Sequence, residues 1–445
     1  MGPPRNNQRR PAKDQNGRDA KKDKKKPIQT PSRRAPQNST TPDEPNSTQF
    51  DLSTTIPLTL QQLLLNVFKT GLLSADGYGW RQDHASPPGE DSTPLDIKSL
   101  IQTIKSHLYN RDFDSAFTEA SEDLLCAYAL RWSASRALGY AGVFKALLEE
   151  LLAESSPQGA APPSSRHVVC IGGGAGAEVV ALAAVWRDLL DEMRVSAHLA
   201  GVSLQDAETD ASIPGPADAT TSTGADGLGK LAVTAVDIAD WSRVVDRLAF
   251  AIQSADVPGG KTHPAPLHGG VQLEGRGEAD GSNDFLVRFR RADVLSIPDA
   301  ELKGLLHIET ASTAMVTLMF TLNELFSTSM AKATGFLLRM TDLLQAGTLL
   351  VVVDSPGSYS TLKLGKGRAQ AGGEEEAAVQ ERKYPMKFLL DHALLSVASG
   401  KWEKVLSQDS RWWRREAARL WYDVGEGAGL EDMRFQVHIY RRLDG

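Results

Sequence analysis

The run His167-Val168-Val169-Cys170-Ile171-Gly172-Gly173-Gly174-Ala175-Gly176-Ala177-Glu178 decides the fold of this 445-residue chain. Its first five residues form a short apolar run suited to a parallel strand buried on both faces. Three consecutive glycines follow at once. From Ala177 onward Val179, Leu182, Trp186, Leu189 and Met193 recur at the spacing of one helix face. A strand that turns through glycines into a helix lets the backbone approach a ligand closely and aims free N–H groups at its polar atoms.

Outward from this unit the pattern repeats. Strands are expected at 231–236, 285–289, 314–320 and 348–353, with helices at 241–253 and 330–344 between them. Alternating strands and helices specify an α/β fold: a mostly parallel sheet with helices on both faces. Three stretches rich in Gly, Ala, Ser, Asp or Glu interrupt it, near 207–230, 257–281 and 365–378, and are expected to be solvated loop insertions. Further along, helices are expected at 385–395 and 402–420. The alternation of Met433-Arg434-Phe435-Gln436-Val437-His438-Ile439-Tyr440 predicts a closing strand.

Upstream of the glycine run, 58–71 and 96–152 carry helical apolar stripes, among them Leu100, Ile101, Ile104 and Leu108. The expected organisation is therefore a basic disordered tail (1–48), a helical N-terminal subdomain (49–154), a Pro/Ser linker (155–165), the α/β domain (166–364) and a C-terminal part (365–445) that completes the sheet. Within the helical part, Arg131-Trp132-Ser133 and Arg136-Ala137-Leu138-Gly139-Tyr140 are polar and aromatic enough to face a ligand, although aromatic residues at this spacing also build cores.

Composition excludes several classes. No apolar run approaches the roughly 20 residues that span a bilayer, and no hydrophobic segment follows the basic N-terminus, so neither membrane insertion nor secretion is expected. Cys126 and Cys170 lie far apart in apolar surroundings and read as buried thiols of a reducing compartment, and the histidines never pair at ligand spacing, so no metal is expected. The net charge of −7 conceals a segregation, because Lys21-Lys22-Asp23-Lys24-Lys25-Lys26 makes the tail basic. Such a tail suits nuclear import or weak phosphate binding, and equally a solvated tail.

Gly172, Gly174 and Gly176 stand at the GxGxG spacing usual in S-adenosylmethionine (SAM) enzymes, and with Ala177 they also satisfy the GxGxxA form of dinucleotide enzymes. A tight structural turn is the third reading. In either cofactor reading an acid at the end of the second strand should accept the ribose hydroxyls; Asp237 fits by position, with Asp206 after Ala200-Gly201-Val202-Ser203-Leu204 as competitor. Asp293 could accept from an adenine amino group, or simply cap a turn.

Methyl transfer from a sulfonium is an in-line displacement, so such a protein mainly aligns a nucleophile and, where needed, removes its proton. Phe320-Thr321-Leu322-Asn323-Glu324-Leu325-Phe326 stands where enzymes that methylate base amines carry an Asn/Asp-Pro-Pro-aromatic turn, which disfavours amines. Neither cysteine is placed for the covalent route to carbon methylation. Asn323 and Glu324, at a strand's carboxyl end, could orient or deprotonate an imide nitrogen; Asp354, Ser355 and Ser358 are further substrate candidates. Lys401-Trp402, Arg411-Trp412-Trp413-Arg414-Arg415, Trp421-Tyr422 and Arg441-Arg442 interleave bases and aromatics as RNA-binding segments do, although tryptophans also fill cores.

Five stretches in order carry a resemblance: Val169-Cys170-Ile171-Gly172-Gly173-Gly174-Ala175-Gly176-Ala177-Glu178, Val236-Asp237-Ile238-Ala239-Asp240-Trp241, the segment from Phe320 to Phe326, Asp409-Ser410-Arg411-Trp412-Trp413-Arg414, and Leu430-Glu431-Asp432-Met433-Arg434-Phe435. Spanning most of 58–443, they resemble the fungal family of SAM-dependent methyltransferases that contains the 25S ribosomal RNA uridine-N3 methyltransferase. The chain departs from that pattern at 421–429 and in its insertions. The resemblance implies a Rossmann-like fold, SAM as cofactor, and methylation of a uridine N3 in large-subunit rRNA or a preribosome, in the nucleus, nucleolus or cytoplasm. The expected cofactor residues are Gly172, Gly173, Gly174, Gly176, Glu178, Asp237 and Asp293, the resemblance favouring Asp237 over Asp206, and Glu324 and Asn323 are the catalytic candidates. A methyltransferase of proteins or small molecules, and a noncatalytic ribosome-assembly factor keeping the fold, are the alternatives.

Overall fold

The computed structural model describes residues 50–73, 96–110, 112–154, 165–205, 228–273, 284–307, 311–357, 359–364, 380–416 and 418–444. The strands are β1 (Ser165–Ile171), β2 (Lys230–Asp237), β3 (Val271–Leu273), β4 (Phe285–Arg291), β5 (Ser312–Met319), β6 (Leu349–Asp354), β7 (Tyr359–Leu364), β8 (Gln380–Pro385), β9 (Trp402–Trp413) and β10 (Met433–Arg442). Eight of them form one sheet in the order β3-β4-β2-β1-β5-β6-β10-β9, and β7 pairs with β8 in a separate antiparallel ribbon. The pairs from β3 through β6 are parallel, while β10 runs antiparallel to both β6 and β9.

Period-2 alternation explains why the central strands read as unbroken apolar runs. Val168 and Cys170 face one hydrophobic core, and Val169 and Ile171 the other; in β6, Leu349, Val351 and Val353 oppose Leu350 and Val352 in the same way. The first core is covered by α1 (Leu58–Leu73), α2 (Ile97–Tyr109), α3 (Glu122–Tyr128), α4 (Ala134–Glu154), α5 (Ala177–Gln205) and α6 (Ser242–Gln253). The second lies under α7 (Asp299–Leu306), α8 (Leu322–Thr328), α9 (Met330–Leu343) and α10 (Met386–Asp391). Helices on both faces of a mostly parallel sheet make the fold α/β and Rossmann-like.

The N-terminal helices share the first core: α1 lies on α6, and α4 on α5. An enclosed ion pair joins the latter two, with Lys145 Nζ 2.5 Å from Asp188 and 2.6 Å from Glu192. A π-helical turn, Ala129–Ser133, links α3 to α4. Inside the sheet His167 bridges three strands, Nε2 lying 2.8 Å from Thr234 Oγ1 and Nδ1 3.1 Å from Thr313 Oγ1. Burial pushes its pKa down to about 3, so it is a neutral structural histidine.

Three expectations are corrected. The segment 402–413 is the edge strand β9, not part of a helix. Its pairing with β10 shifts register twice, and each bulge resets the alternation, leaving Trp402, Val405, Leu406, Trp412 and Trp413 at spacings that imitate a helix. Ala200-Gly201-Val202-Ser203-Leu204 is not a strand but the last turns of α5; a short apolar run cannot by itself distinguish the two. Within 257–281, residues 257–273 are not a solvated loop: Val257, Leu267 and Val271 are buried, and β3 adds a strand to the sheet. Their apolar residues are too sparse among Gly, Pro and His to give a period. The basic tail, the linker up to 164, Asp206, Ser358 and the insertion 365–378 lie outside the described residues, as does almost all of 207–230.

Candidate active site

The glycine loop leaves β1 and enters α5. Gly172 and Gly176 have φ of +76° and +79°, a region that favours glycine. The loop is pinned by Gly172 N–H donating to Val236 O at 2.7 Å and Gly176 N–H to Gly173 O at 3.1 Å. A Cβ on Gly172 would run into Thr321, and one on Gly173 into Cys170, in each case under 3.0 Å. At Gly174 it would strike the Trp241 ring and lie 2.8 Å from Asp237 Cβ.

Asp237 ends β2 beside this loop. Its Oδ2 accepts from Gly174 N–H at 3.2 Å and its Oδ1 from Ala239 N–H at 3.1 Å. Burial pushes its carboxyl up to about 6, against the pull of those N–H groups. Asp293 follows β4, half-buried, its Oδ1 accepting from Leu295 N–H at 3.0 Å. Its neighbour Ala292 donates to Asp237 O at 2.8 Å, which brings the two acidic turns together.

The N-terminal helices supply a wall that sequence reasoning did not commit to. Tyr128, just before the π-turn, and Trp132, within it, have ring centroids 4.9 Å apart, and Tyr128 lies 5.7 Å from Trp241. Arg136 donates from Nη1 to Tyr128 Oη at 2.9 Å and covers the Phe320 ring at 4.8 Å. Tyr140, one turn on, stacks on Phe320 at 6.5 Å. Phe320 is the described non-glycine residue with positive φ, +57°, the kind of backbone strain that clusters at functional sites. The usable signal was Arg136 and Tyr140, four apart on an otherwise apolar helix face, because an enclosed guanidinium needs a reason. Glu178, at the start of α5, is 3% exposed and its Oε1 has no hydrogen-bond partner among the described residues. Burial pushes its carboxyl up to about 8.

At the carboxyl ends of β5 and β6, Asp354 joins two loops: Oδ2 accepts from Asn323 N–H at 3.0 Å and Oδ1 from Ser355 N–H at 2.7 Å. Asn323 Oδ1 is buried without a hydrogen-bond partner among the described residues, while Glu324 is exposed beside it. Behind them Gln436 Nε2 donates to Ser355 O at 2.8 Å, and His438 Nε2 lies 3.0 Å from Gln436 Oε1. Burial lowers the His438 pKa to about 4, so the ring is neutral and accepts from Ser407 Oγ at 2.9 Å. Cys126 and Cys170 are buried free thiols, and burial raises the pKa of both.

The basic-aromatic C-terminal residues divide. Trp402 Nε1 donates to Thr341 Oγ1 at 2.8 Å, Tyr422 Oη to Leu130 O at 2.9 Å, and Arg442 Nε to Thr341 O at 2.9 Å, all structural roles. Trp412, 50% exposed, instead stands on the surface with Arg414 over its ring at 4.4 Å and Arg434 at 5.7 Å.

A glycine cradle with no room for Cβ, an acid at the end of β2 and buried orphan atoms on Glu178 and Asn323 fit a nucleoside with an amino-acid tail lying across the strand ends. Among the described residues no group of three or more His, Cys, Asp or Glu is placed to hold a metal ion, and no helix is long and apolar enough to cross a membrane. Residues 84–441 match the family model described as "Putative SAM-dependent methyltransferase". The chain is similar to the 25S rRNA (uridine(2843)-N(3))-methyltransferase of Saccharomyces cerevisiae, with 30% identity over 366 residues and 80% of each chain covered. Among solved structures, the SAM-bound amino pentose methyltransferase CalS10 of Micromonospora echinaspora is 12% identical with TM-score 0.28, covering 73% of this chain and 98% of its own. The 16S rRNA (adenine(1408)-N(1))-methyltransferase of Catenulisporales acidiphilia is 12% identical with TM-score 0.25, covering 68% and 94%. At such scores the fold rests on the sheet order itself. The chain belongs to the matched family: it is a SAM-dependent methyltransferase.

Proposed function

We propose that the chain methylates N3 of a uridine in large-subunit ribosomal RNA, acting on the rRNA or a preribosome in the nucleus or nucleolus. The yeast relative's named reaction supports the substrate, and one observation in this chain supports the chemistry: the orphan Asn323 Oδ1 at the end of β5. A uracil imide presents an N3–H donor between two carbonyl acceptors. Asn323, whose amide is not held by the described residues through Oδ1, donates from Nδ2 to a uracil carbonyl, which takes up the charge that forms as N3 loses its proton. Glu324, exposed at the rim, takes the N3 proton as the nitrogen attacks. The cofactor supplies a methyl group made electrophilic by the sulfonium. Gly172, Gly173, Gly174 and Gly176 provide its cradle, with Glu178 beside it; Asp237 accepts the ribose hydroxyls and Asp293 the adenine amino group. The imide must be unpaired to react, so the nucleotide is presented outside a duplex. An rRNA fragment that accepts methyl from SAM should accept none once its target uridine already carries an N3 methyl; undiminished incorporation would move the reaction to another atom.

Two further outcomes follow. Asp237 must be ionised to accept both hydroxyls, and its carboxyl titrates at about 6. Below that pH wild-type SAM affinity should fall more steeply than that of Asp237→Asn, by up to about a further tenfold per unit. Titration calorimetry across pH measures this. On the β9–β10 edge, half-exposed Trp412 beside Arg414 and Arg434 is proposed to stack with an unpaired base whose phosphates the arginines neutralise. Trp412→Ala should weaken rRNA binding by about 1–3 kcal/mol, leaving SAM affinity unchanged; filter binding and calorimetry separate the two.

A further inference from the structure

We infer that Arg136 and Glu178 form a clamp for the amino-acid end of the cofactor, the guanidinium taking the α-carboxylate and the glutamate taking the α-ammonium. The inference rests on the cofactor being SAM and not on which nucleotide is methylated. SAM's tail is a zwitterion, and enclosing it requires one group of each sign with unmet hydrogen-bonding capacity. Few places in the site offer that. Glu178 is buried, and its Oε1 has no hydrogen-bond partner among the described residues. Arg136 makes one hydrogen bond among them, from Nη1 to Tyr128 Oη, which leaves the rest of its fork uncommitted. The two charges interact electrostatically, yet no direct ion pair joins them among the described residues.

The surroundings hold this geometry. Arg136 is fixed from two sides by the Tyr128 and Phe320 rings, 5.8 and 4.8 Å from its guanidinium carbon. Phe320 is itself backed by Tyr140 and set by its left-handed backbone at the end of β5. Glu178 follows the glycine loop directly, so it lies where the tail must go if the adenosine end reaches Asp237 on β2. A carboxyl pushed up to about 8 by burial gains most from a cation brought beside it. A structural salt bridge alone would leave neither Glu178 Oε1 unpaired nor the guanidinium parted from it.

SAM and decarboxylated SAM differ by the tail carboxylate alone, and 5′-methylthioadenosine lacks the tail and the sulfonium charge. Titration calorimetry of the full chain is run with SAM, decarboxylated SAM, S-adenosylhomocysteine and 5′-methylthioadenosine, against wild type, Arg136→Met, Arg136→Lys and Glu178→Gln. Wild type should bind S-adenosylhomocysteine, a thioether with both tail charges, at least about 100-fold more tightly than 5′-methylthioadenosine, a thioether with neither. Arg136→Met should weaken SAM about 10- to 100-fold and leave decarboxylated SAM and 5′-methylthioadenosine within about twofold, with Arg136→Lys restoring part of the loss. Glu178→Gln should weaken SAM and decarboxylated SAM together and spare 5′-methylthioadenosine. Equal losses for all the ligands, or none, would overturn the clamp. No binding of any ligand by folded wild type would instead overturn the cofactor site that the clamp presupposes. Circular dichroism and melting temperature of each variant identify loss of fold.

Discussion

Gly174→Val should raise the Kd for SAM at least about 100-fold, some 3 kcal/mol, while the chain keeps its fold. A Cβ at this position meets the Trp241 ring and Asp237 Cβ under 3.0 Å. Neither neighbour can yield cheaply. Trp241 is buried against Tyr128 and Phe117, and Asp237 is tied to the loop through Gly174 N–H. Relief comes by displacing the loop or the carboxylate, and both belong to the proposed cofactor cradle. The strand beneath and the helix beyond are buried in two cores to which the loop adds only Ala175, which is why binding fails before folding does. Gly335→Ala is the control: in α9 an added Cβ meets nothing within 4 Å, so it should stabilise by about 0.5–1 kcal/mol through helix propensity and leave Kd unchanged. Calorimetry and thermal melting measure both.

Asn323→Ala should lower kcat/KM for methyl transfer to rRNA about 10²–10³-fold with SAM affinity unchanged. The residue's backbone N–H, not its side chain, holds the α8 turn to Asp354, so alanine leaves that bond in place. What it removes is the amide whose Oδ1 is buried without a partner among the described residues and whose Nδ2 is proposed to donate to the uracil carbonyl. Asn323→Asp should recover little, because a carboxylate cannot donate to the uracil carbonyl and repels the charge that builds there. A loss confined to KM would make Asn323 a general RNA contact.

The strand-loop-helix unit and the central strands were legible because parallel strands covered on both faces write continuous apolar runs, and glycine is the residue that φ of +76° and +79° demands. Asp237 was legible by position, since β1 and β2 are neighbours and their carboxyl ends share one rim. The edges of the sheet were not. In β9 two bulges disguised the period, and in β3 three residues are too short to have one. The helical wall was harder still. Arg136 reaches the site from a helix whose neighbours in sequence are core, and Phe320 contributes through a left-handed backbone that no apolar pattern encodes. The C-terminal tryptophans looked alike as letters, but pairing turned Trp402 inward to Thr341 and Trp412 outward between two arginines.

The most direct measurement is to incubate the full chain with methyl-labelled SAM and unmodified large-subunit rRNA, digest the RNA to nucleosides, and identify the labelled one by mass spectrometry. Label recovered as N3-methyluridine with wild type and absent with Gly174→Val is the expected result. Label in another nucleoside, or none in RNA although SAM binds, would contradict it.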